Sequence, residues 1–268
     1  MENKKIKKFK DGVLVNSTAL ESLKGVPDNV FHSIITSPPF NTSKRTGASD
    51  AYNKRYDKHL DNMSPEQYLD WTIEHFKEFE GVLKKDGTIL YNLSYGTESH
   101  EFSNLIFQAI AKIYEDTEFC VADTIIWKKN SAIPNNVSHN KITRIAEFVF
   151  VIVRKSEYKT FKANKVVKST SKTGQKFYEN VFNFLEARNN DGSNKLNKAT
   201  YSTDLVEELL KRYCKEGSLI RDPFHGTGTT ANACIRSGMG FMGIELSKEQ
   251  HEFAIQRLQE TYKEIGDF

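Results

Sequence analysis

Residues 222–230 read DPFHGTGTT and follow a short apolar stretch (218–221) that predicts a strand leading into a helix. Glycines at such a turn let the backbone approach a ligand, and the first turn of a helix offers unpaired N–H donors. Glu245 lies seventeen residues after Gly228, at the end of the next predicted strand (240–245). An acidic side chain there can accept hydrogen bonds from both hydroxyls of a ribose. The combination predicts an open α/β sheet with a nucleoside-bearing ligand at its edge.

Two other ligand classes fit this turn less well. No Gly-Lys-Ser/Thr triplet follows the glycines, so the loop is not a P-loop and ATP hydrolysis is disfavoured. No third glycine completes the G-x-G-x-x-G pattern, which makes NAD the weaker choice. A tight turn that binds no ligand is the remaining alternative.

A second motif stands near the N-terminus, where residues 36–40 read TSPPF at the end of a predicted buried strand (30–36). The two prolines fix φ and remove two N–H donors, so the turn is rigid and rich in acceptors. The Ser37 hydroxyl and the Pro38 carbonyl are those acceptors, and Phe40 supplies a flat face beside them. This set suits a planar substrate with an exocyclic amine. A stiff exit from the strand is the alternative.

Strands and helices are predicted to alternate along the chain, which is typical of an α/β layered fold. Ser64, Pro65 and Gln67 form a capping box that predicts a helix running to about Lys85. Ser247 begins a second capping box. The other predicted strands cover 88–93, 119–127 and 145–153, and the other predicted helices cover 101–114, 203–214, 228–236 and the stretch from 248.

Length and composition indicate a globular protein. The 268 residues suffice for one domain with an insertion, and the chain has neither an apolar run near 18 residues nor a secretory signal, so we expect it in the cytoplasm. Cys120, Cys214 and Cys234 are far apart and form no CxxC pair, so we expect buried thiols and no metal site.

Basic residues are concentrated in two places, although the formal net charge is only +3. The first ten residues contain five lysines, and residues 154–176 contain eight basic residues against one acid, Glu157. Such a block predicts a polyanionic partner, with a solvated helix face as the alternative because the lysines are three or four residues apart. The eight are Arg154, Lys155, Lys159, Lys162, Lys165, Lys168, Lys172 and Lys176.

Together the two motifs resemble those of the β group of DNA amino-methyltransferases, which use S-adenosyl-L-methionine. TSPPF resembles the catalytic motif of that family, DPFHGTGTT its cofactor loop, and GIELSKE its ribose-binding strand end, in the order found in the β group. The resemblance covers roughly residues 13–258. It implies a doubly wound, mostly parallel seven-stranded sheet with a small inserted target-recognition region. Residues 11–154 would form the catalytic half, 155–198 the insertion and 199–268 the cofactor-binding half.

The resemblance also implies the roles of individual residues. The turn at 222–228 would hold the methionine part of S-adenosyl-L-methionine and Glu245 its ribose, and no metal would take part. The implied catalytic residues are Ser37, Pro38, Pro39 and Phe40. The implied cofactor-binding residues are Thr36, Thr203, Asp222, Phe224, Gly226, Thr227, Gly228 and Glu245.

The predicted reaction is methyl transfer to the N4 amine of cytosine in double-stranded DNA, after the base has been flipped out of the duplex. Transfer to adenine N6 is the alternative, and a DNA-binding module without activity is a weaker one. The DNA would contact residues 154–176 and a basic polar loop that begins at Asn41 and ends at Asn62. A restriction endonuclease of the same system is a possible partner, and the protein is expected to be a monomer or a homodimer.

Overall fold

The computed structural model places two parallel strands at the centre of a large sheet, with helices on both faces. The strands are β1 (Lys5–Lys8), β2 (Gly12–Asn16), β3 (Phe31–Thr36), β4 (Leu83–Leu93), β5 (Phe119–Lys129), β6 (Ala146–Arg154), β7 (Val167–Thr170), β8 (Lys176–Tyr178), β9 (Phe184–Ala187), β10 (Leu219–Asp222) and β11 (Gly240–Glu245). The helices are α1 (Pro65–Val82), α2 (His100–Asp116), α3 (Thr203–Tyr213), α4 (Thr229–Arg236) and α5 (Lys248–Glu264). The structure describes residues 5–41, 63–95, 100–132, 134, 136, 139, 142–192, 196 and 200–266.

The main sheet has nine strands in the order β1-β2-β11-β10-β3-β4-β6-β5-β9. The pairs from β2 to β4 are all parallel, whereas β6 runs antiparallel to both of its neighbours. The chain leaves β3 for β4 on one side and leaves β10 for β11 on the other. The β3/β10 pair is therefore the point where the strand order reverses, and ligands of such sheets bind at the carboxyl ends of those strands.

The predicted fold class is confirmed, and the strand count differs by two. The seven central strands match the expected sheet, and β1 and β9 extend it at its edges. The lysine-rich N-terminus forms β1, which pairs with β2. Charged side chains on an edge strand discourage pairing with another chain, so lysines suit this position.

Helix α1 ends earlier than predicted. Its capping box is present, with the Ser64 hydroxyl accepting a hydrogen bond from the Gln67 amide. The helix stops at Val82 rather than near Lys85, because Leu83 turns at once into β4 and is fully buried. Burial of this leucine in the core outweighs the helix propensity of the lysines after it.

Apolar side chains cover both faces of the sheet. One cluster joins α3, α4 and α5 to the sheet through residues such as Leu205, Ala231 and Leu258. The other joins α1 and α2 to the opposite face, with Phe76 and Ile113 among its members. The helices thereby fix the strand ends from which the candidate site is built.

The predicted insertion is divided in the structure. Strands β7 and β8 form a separate two-stranded hairpin whose residues are all exposed. Strand β9 instead pairs with β5, and its Leu185 and Ala187 belong to the main core. The indole N–H of the buried Trp127 donates to the Ala187 carbonyl over 3.3 Å. The second part of the insertion is thus built into the sheet.

Candidate active site

A cavity of about 280 Å³ opens at the carboxyl ends of β3, β10 and β11. It is lined by segments that follow β2, β3, β10 and β11, by the start of α5, by two residues of α1, and by the residues before α3. The lining residues are Ser17, Thr18, Ala19, Leu20, Ser37, Pro38, Pro39, Phe40, Trp71, His75, Thr200, Tyr201, Pro223, Phe224, His225, Gly226, Thr229, Ile244, Glu245, Leu246 and Gln250. The two motifs singled out in the sequence therefore meet in one cavity.

The TSPPF segment reaches the cavity with its last four residues, Ser37 to Phe40. Phe40 also packs against the core cluster beneath α1. Asn41 follows in a left-handed backbone conformation (φ 57°), and its side-chain amide pairs with both backbone groups of Met63 at 2.8 Å. These bonds join Asn41, the residue after the cavity-lining Phe40, to Met63. Residues 42–62, on which the prediction of a DNA-binding loop falls, lie outside the described residues.

The glycine loop approaches the cavity through Phe224 and Gly226. Gly226 and Gly228 have φ values of 53° and 83°, which L-residues with a side chain rarely adopt. A Cβ on Gly228 would lie 3.0 Å from the Cβ of Ala254, because α5 packs directly on the loop. Both the turn and this close approach explain why glycine is found at 228.

Glu245 lies at the end of β11 and lines the cavity. One carboxylate oxygen accepts the Gly226 amide at 2.9 Å and the other accepts the Ser247 amide at 2.7 Å. The two oxygens together have about four lone pairs, so the carboxylate can still accept a bond from a ligand. Burial raises the pKa of Glu245 to about 7.

Asp222 is buried behind the cavity and connects four segments. Its Oδ1 accepts bonds from the Thr36 hydroxyl (2.7 Å) and the Phe224 amide (3.1 Å). Its Oδ2 bonds to the hydroxyls of Tyr201 (3.1 Å) and Thr230. Burial raises the pKa of Asp222, and these donors oppose the rise. The carboxylate ties strand β3 to the glycine loop, to α4 and to the segment before α3.

Five of the eight predicted cofactor-binding residues do not line the cavity. Thr36 and Asp222 bond to each other behind it, and Gly228 faces Ala254. Thr227 is buried and offers its carbonyl to Arg257. These five are Thr36, Thr203, Asp222, Thr227 and Gly228, whereas Phe224, Gly226 and Glu245 reach the cavity.

Thr203 does not line the cavity. Its hydroxyl donates to Asp191 (2.6 Å) and accepts from Asn232 (3.2 Å) and Arg257 (3.1 Å). A hydroxyl has one proton and two lone pairs, so no capacity is left for a ligand. Thr200 and Tyr201, a few residues earlier, reach the cavity instead.

Trp71 and His75 of α1, neither of which was predicted as a site residue, form an aromatic wall of the cavity with Phe224. The ring centroids of Trp71 and His75 are 4.3 Å apart, and each lies 5.3 Å from that of Phe224. A crossover helix must begin near the carboxyl end of the strand before it, so aromatic residues four apart in its first turns were a usable signal. The residues after β2 were missed because that strand was not predicted.

His75 contributes a neutral ring to this wall. Its Nδ1 donates to the Trp71 carbonyl over 2.7 Å, which leaves Nε2 as an acceptor. Burial, with a smaller effect of the nearby Arg221 guanidinium, lowers the pKa of His75 to about 4. The cavity therefore combines aromatic and apolar faces with one titratable carboxylate. Among the described residues no group of His, Cys, Asp and Glu is arranged to hold a metal ion.

Two members of the basic block are hydrogen-bonded to the body of the protein. Arg154 is buried, with its guanidinium bonded to Glu118 (2.8 Å) and to the Leu83 carbonyl (3.1 Å). Lys155 donates to the Thr117 carbonyl at 2.8 Å. The prediction of DNA contact is corrected for Arg154, whose guanidinium is buried and already paired. The exposed members are Lys155, Lys159, Lys162, Lys165, Lys168, Lys172 and Lys176.

The fold and the cavity define an α/β protein that binds a nucleoside-bearing ligand beside a rigid serine–proline turn. A family model described as DNA methylase, for N6 and N4 methyltransferases, matches residues 31–256. The chain belongs to this family of S-adenosyl-L-methionine-dependent enzymes and is a DNA methyltransferase. The predicted family is confirmed.

Curated relatives include a type II methyltransferase and a DNA adenine methyltransferase. The type II methyltransferase M.BglII of Bacillus subtilis is 25% identical over 95% of this chain and 71% of its own length. The DNA adenine methyltransferase YhdJ of Escherichia coli is 23% identical over 91% of this chain and 82% of its own. The class of target base therefore does not follow from these relatives.

Solved structures agree on the fold. The PvuII DNA methyltransferase, described as cytosine-N4-specific, superposes with a TM-score of 0.69 at 18% identity, covering 96% of this chain and 93% of its own. A complex of M1.HpyAVI with S-adenosyl-L-methionine superposes with a TM-score of 0.57 at 22% identity, covering 91% of this chain and 97% of its own. No helix in the described part of the chain is long and apolar enough to cross a membrane.

The Asp222 cluster generates a stability prediction. Asp222→Ala should lower the free energy of unfolding by about 3 kcal/mol, because it leaves three buried hydroxyls without their shared acceptor. Urea unfolding followed by circular dichroism measures this. Asp204→Ala, which removes an exposed ion pair with Arg188, is the matched control and should cost less than about 1 kcal/mol. Equal losses in the two variants would contradict the role of Asp222.

Proposed function

We propose that the protein transfers a methyl group from S-adenosyl-L-methionine to the N4 amine of cytosine in double-stranded DNA. The observation that carries this proposal is the shared cavity, in which Ser37 and Pro38 lie on one wall and Gly226 and Glu245 on another. Holding two reactants in one cavity in the correct orientation supplies much of the rate acceleration in a transfer reaction.

The residues present fit the cofactor. Glu245 lines the cavity and keeps acceptor capacity for a ribose hydroxyl, and Gly226 brings the backbone close to the cavity. The rings of Phe224, Trp71 and His75 offer flat faces for apolar parts of the ligand. When bound, S-adenosyl-L-methionine supplies an electrophilic methyl group on a sulfonium.

The serine–proline turn would hold the target amine. The lone pair of an exocyclic amine is conjugated with its ring, so the amine is a poor nucleophile. The Ser37 hydroxyl and the Pro38 carbonyl can accept its two N–H bonds, which draws the nitrogen toward a tetrahedral shape and frees the lone pair. Phe40 would stack on the flipped base, an interaction worth about 1–3 kcal/mol. Flipping itself costs a few kcal/mol.

The choice of cytosine rests on the motif. Ser-Pro-Pro in the catalytic motif goes mainly with cytosine N4 in the resembling family, and the PvuII enzyme described as cytosine-N4-specific shares the fold. Adenine N6 is the second candidate, because the relative from Escherichia coli is a DNA adenine methyltransferase. The Ser37 hydroxyl can accept a hydrogen bond from either amine, so the target base must be identified from the methylated product.

The exposed lysines of the insertion would bind the DNA backbone. Six of them lie between residues 159 and 176, within and around the exposed β7–β8 hairpin. The same region exposes aromatic side chains, with Phe177 and Tyr178 each 49% accessible. We also propose that a restriction endonuclease acts on the same site, as the type II designation of relatives suggests.

The product of the reaction tests the choice of base. After incubation with DNA and S-adenosyl-L-methionine, a nucleoside digest analysed by mass spectrometry should contain N4-methylcytosine. Ser37→Ala should lower the rate by about 100-fold, because a group that stabilises the transition state is lost. Ser103→Ala on α2, which does not line the cavity, should keep the rate. A digest with N6-methyladenine alone would refute the cytosine assignment.

Cofactor affinity should depend on pH through Glu245. Below a pH of about 7 its carboxyl gains a proton and loses acceptor capacity, so the affinity for S-adenosyl-L-methionine should fall as the pH is lowered from 8 to 6. Calorimetry of wild type, of Glu245→Gln and of the exposed control Glu249→Gln measures this. Glu245→Gln should bind about ten-fold more weakly at pH 8 and lose the pH dependence. The same pH dependence in Glu245→Gln as in wild type would exclude Glu245 as its source.

The lysines of the insertion predict a salt effect on DNA binding. The double variant Lys168→Ala/Lys172→Ala should weaken binding and reduce the slope of log affinity against log salt by about 2, since each phosphate contact contributes about 0.9. Fluorescence anisotropy with a labelled duplex at several salt concentrations gives this slope. Lys85→Ala, at the far end of β4 from the cavity, is the control. An unchanged slope in the double variant would place the DNA elsewhere.

A further inference from the structure

A polar network supports the glycine loop and the start of α4. Its centre is the Arg257 guanidinium of α5, which is largely buried. Arg257 Nη1 donates to the Thr227 carbonyl (3.3 Å) and to the Thr229 hydroxyl (3.0 Å). One side chain thus holds the middle of the glycine loop and the first residue of α4.

The other amino group of Arg257 reaches the end of the inserted region. Its Nη2 bonds to the Asp191 carboxylate and donates to the Thr203 hydroxyl over 3.1 Å. Asp191 in turn accepts the Thr203 amide (2.7 Å) and the Thr203 hydroxyl (2.6 Å). The carboxylate therefore fixes both the start of α3 and the position of the guanidinium.

A second layer completes the network. Asn232 of α4 donates to Thr203 (3.2 Å) and accepts the Thr261 hydroxyl of α5 (2.8 Å). Every polar atom of Thr203 is used, and α3, α4 and α5 are joined through it. Gly228 lies between Thr227 and Thr229, the two residues that Arg257 Nη1 contacts, and Ala254 of α5 packs against it.

The structure assigns Asp191 and Arg257 a role as positioning residues for the cofactor loop, which they fasten to the C-terminal end of the inserted region. Neither residue lines the cavity. They act through the Thr227 carbonyl and the Thr229 hydroxyl, which set the path of the backbone between Phe224 and α4. The same pair hydrogen-bonds to Thr203. Thr203 is two residues after Tyr201, which does line the cavity.

The ion pair also explains how two distant segments share one support. Asp191 comes from the loop after β9, at the edge of the sheet, whereas Arg257 comes from α5, next to the glycine loop. A partly buried charge-assisted pair with additional hydrogen bonds fixes geometry better than an exposed pair of the same type. A second pair, Arg188 with Asp204, also joins the insertion to α3 but is about half exposed and reaches no residue of the loop.

Hydrogen exchange of the full-length protein without ligand tests this role. In Arg257→Gln and Asp191→Asn, amides of residues 224–232 should exchange about ten-fold faster than in wild type, because charge-assisted bonds to the loop are lost. The double variant should resemble either single variant, since both break the same pair. Arg188→Gln is the matched control and should leave these amides unchanged. Arg257→Lys, which keeps the charge but not the fork of donors, should give an intermediate rate.

Binding of S-adenosyl-L-methionine, measured by calorimetry, is the second readout. The affinity part of the inference rests on the proposed function, so Glu245→Ala is measured in parallel. Arg257→Gln and Asp191→Asn should bind about ten-fold more weakly than Arg188→Gln, while their far-ultraviolet circular dichroism stays that of wild type. If the wild type itself bound no cofactor, the proposed function would be refuted, but the exchange rates would still test the positioning role of Asp191 and Arg257. Loop exchange equal in wild type and Arg257→Gln would overturn the positioning role, whatever the cofactor does.

Discussion

The candidate site depends on one buried carboxylate, that of Asp222. The Thr36 hydroxyl and the Phe224 amide bond to one of its oxygens, and the hydroxyls of Tyr201 and Thr230 bond to the other. Thr36 is the residue before the serine–proline turn, and Phe224 lies in the glycine loop. The two walls of the cavity are therefore set against each other by a single group that does not itself face the ligand. A buried charge is tolerated in a protein only when its hydrogen bonds are satisfied, and here they are.

The cavity contains little charge for a site that would act on a charged cofactor and a polymer of phosphates. Burial lowers the pKa of His75 to about 4, so its ring is neutral at pH 7, and burial raises the pKa of Glu245 to about 7. The positive charge lies on the exposed hairpin of the insertion instead. This separation suits a transfer between a flat base and a methyl carrier, because alignment between aromatic faces matters more there than proton transfer. The duplex would then be bound by a different surface, the exposed hairpin of the insertion.

Local sequence was sufficient to predict much of this molecule. The two motifs lie at strand ends, as their apolar runs indicated, and the capping box of α1 is present. Strand β2 was missed, as were the exact end of α1 and the division of the insertion. The end of α1 depends on the burial of Leu83, and the path of β9 depends on its pairing with β5, two facts that no short window of sequence contains. Arg154 was misassigned for the same reason, since its partner Glu118 comes from the turn before β5.

The sequence by itself determined the family, the fold class and the residues Ser37 to Phe40, Gly226 and Glu245 as candidates, because each of these depends on residue types within one strand-to-loop turn. Only the tertiary structure decided which candidates face the cavity and which support it. Asp222, Thr203 and Thr36 are support, whereas Trp71 and His75 face inward. The physical reason is that a hydroxyl or a carboxylate has few bonding sites. Whether those sites are left for a ligand depends on partners that the fold brings from more than 100 residues away, as it brings Thr36 to Asp222.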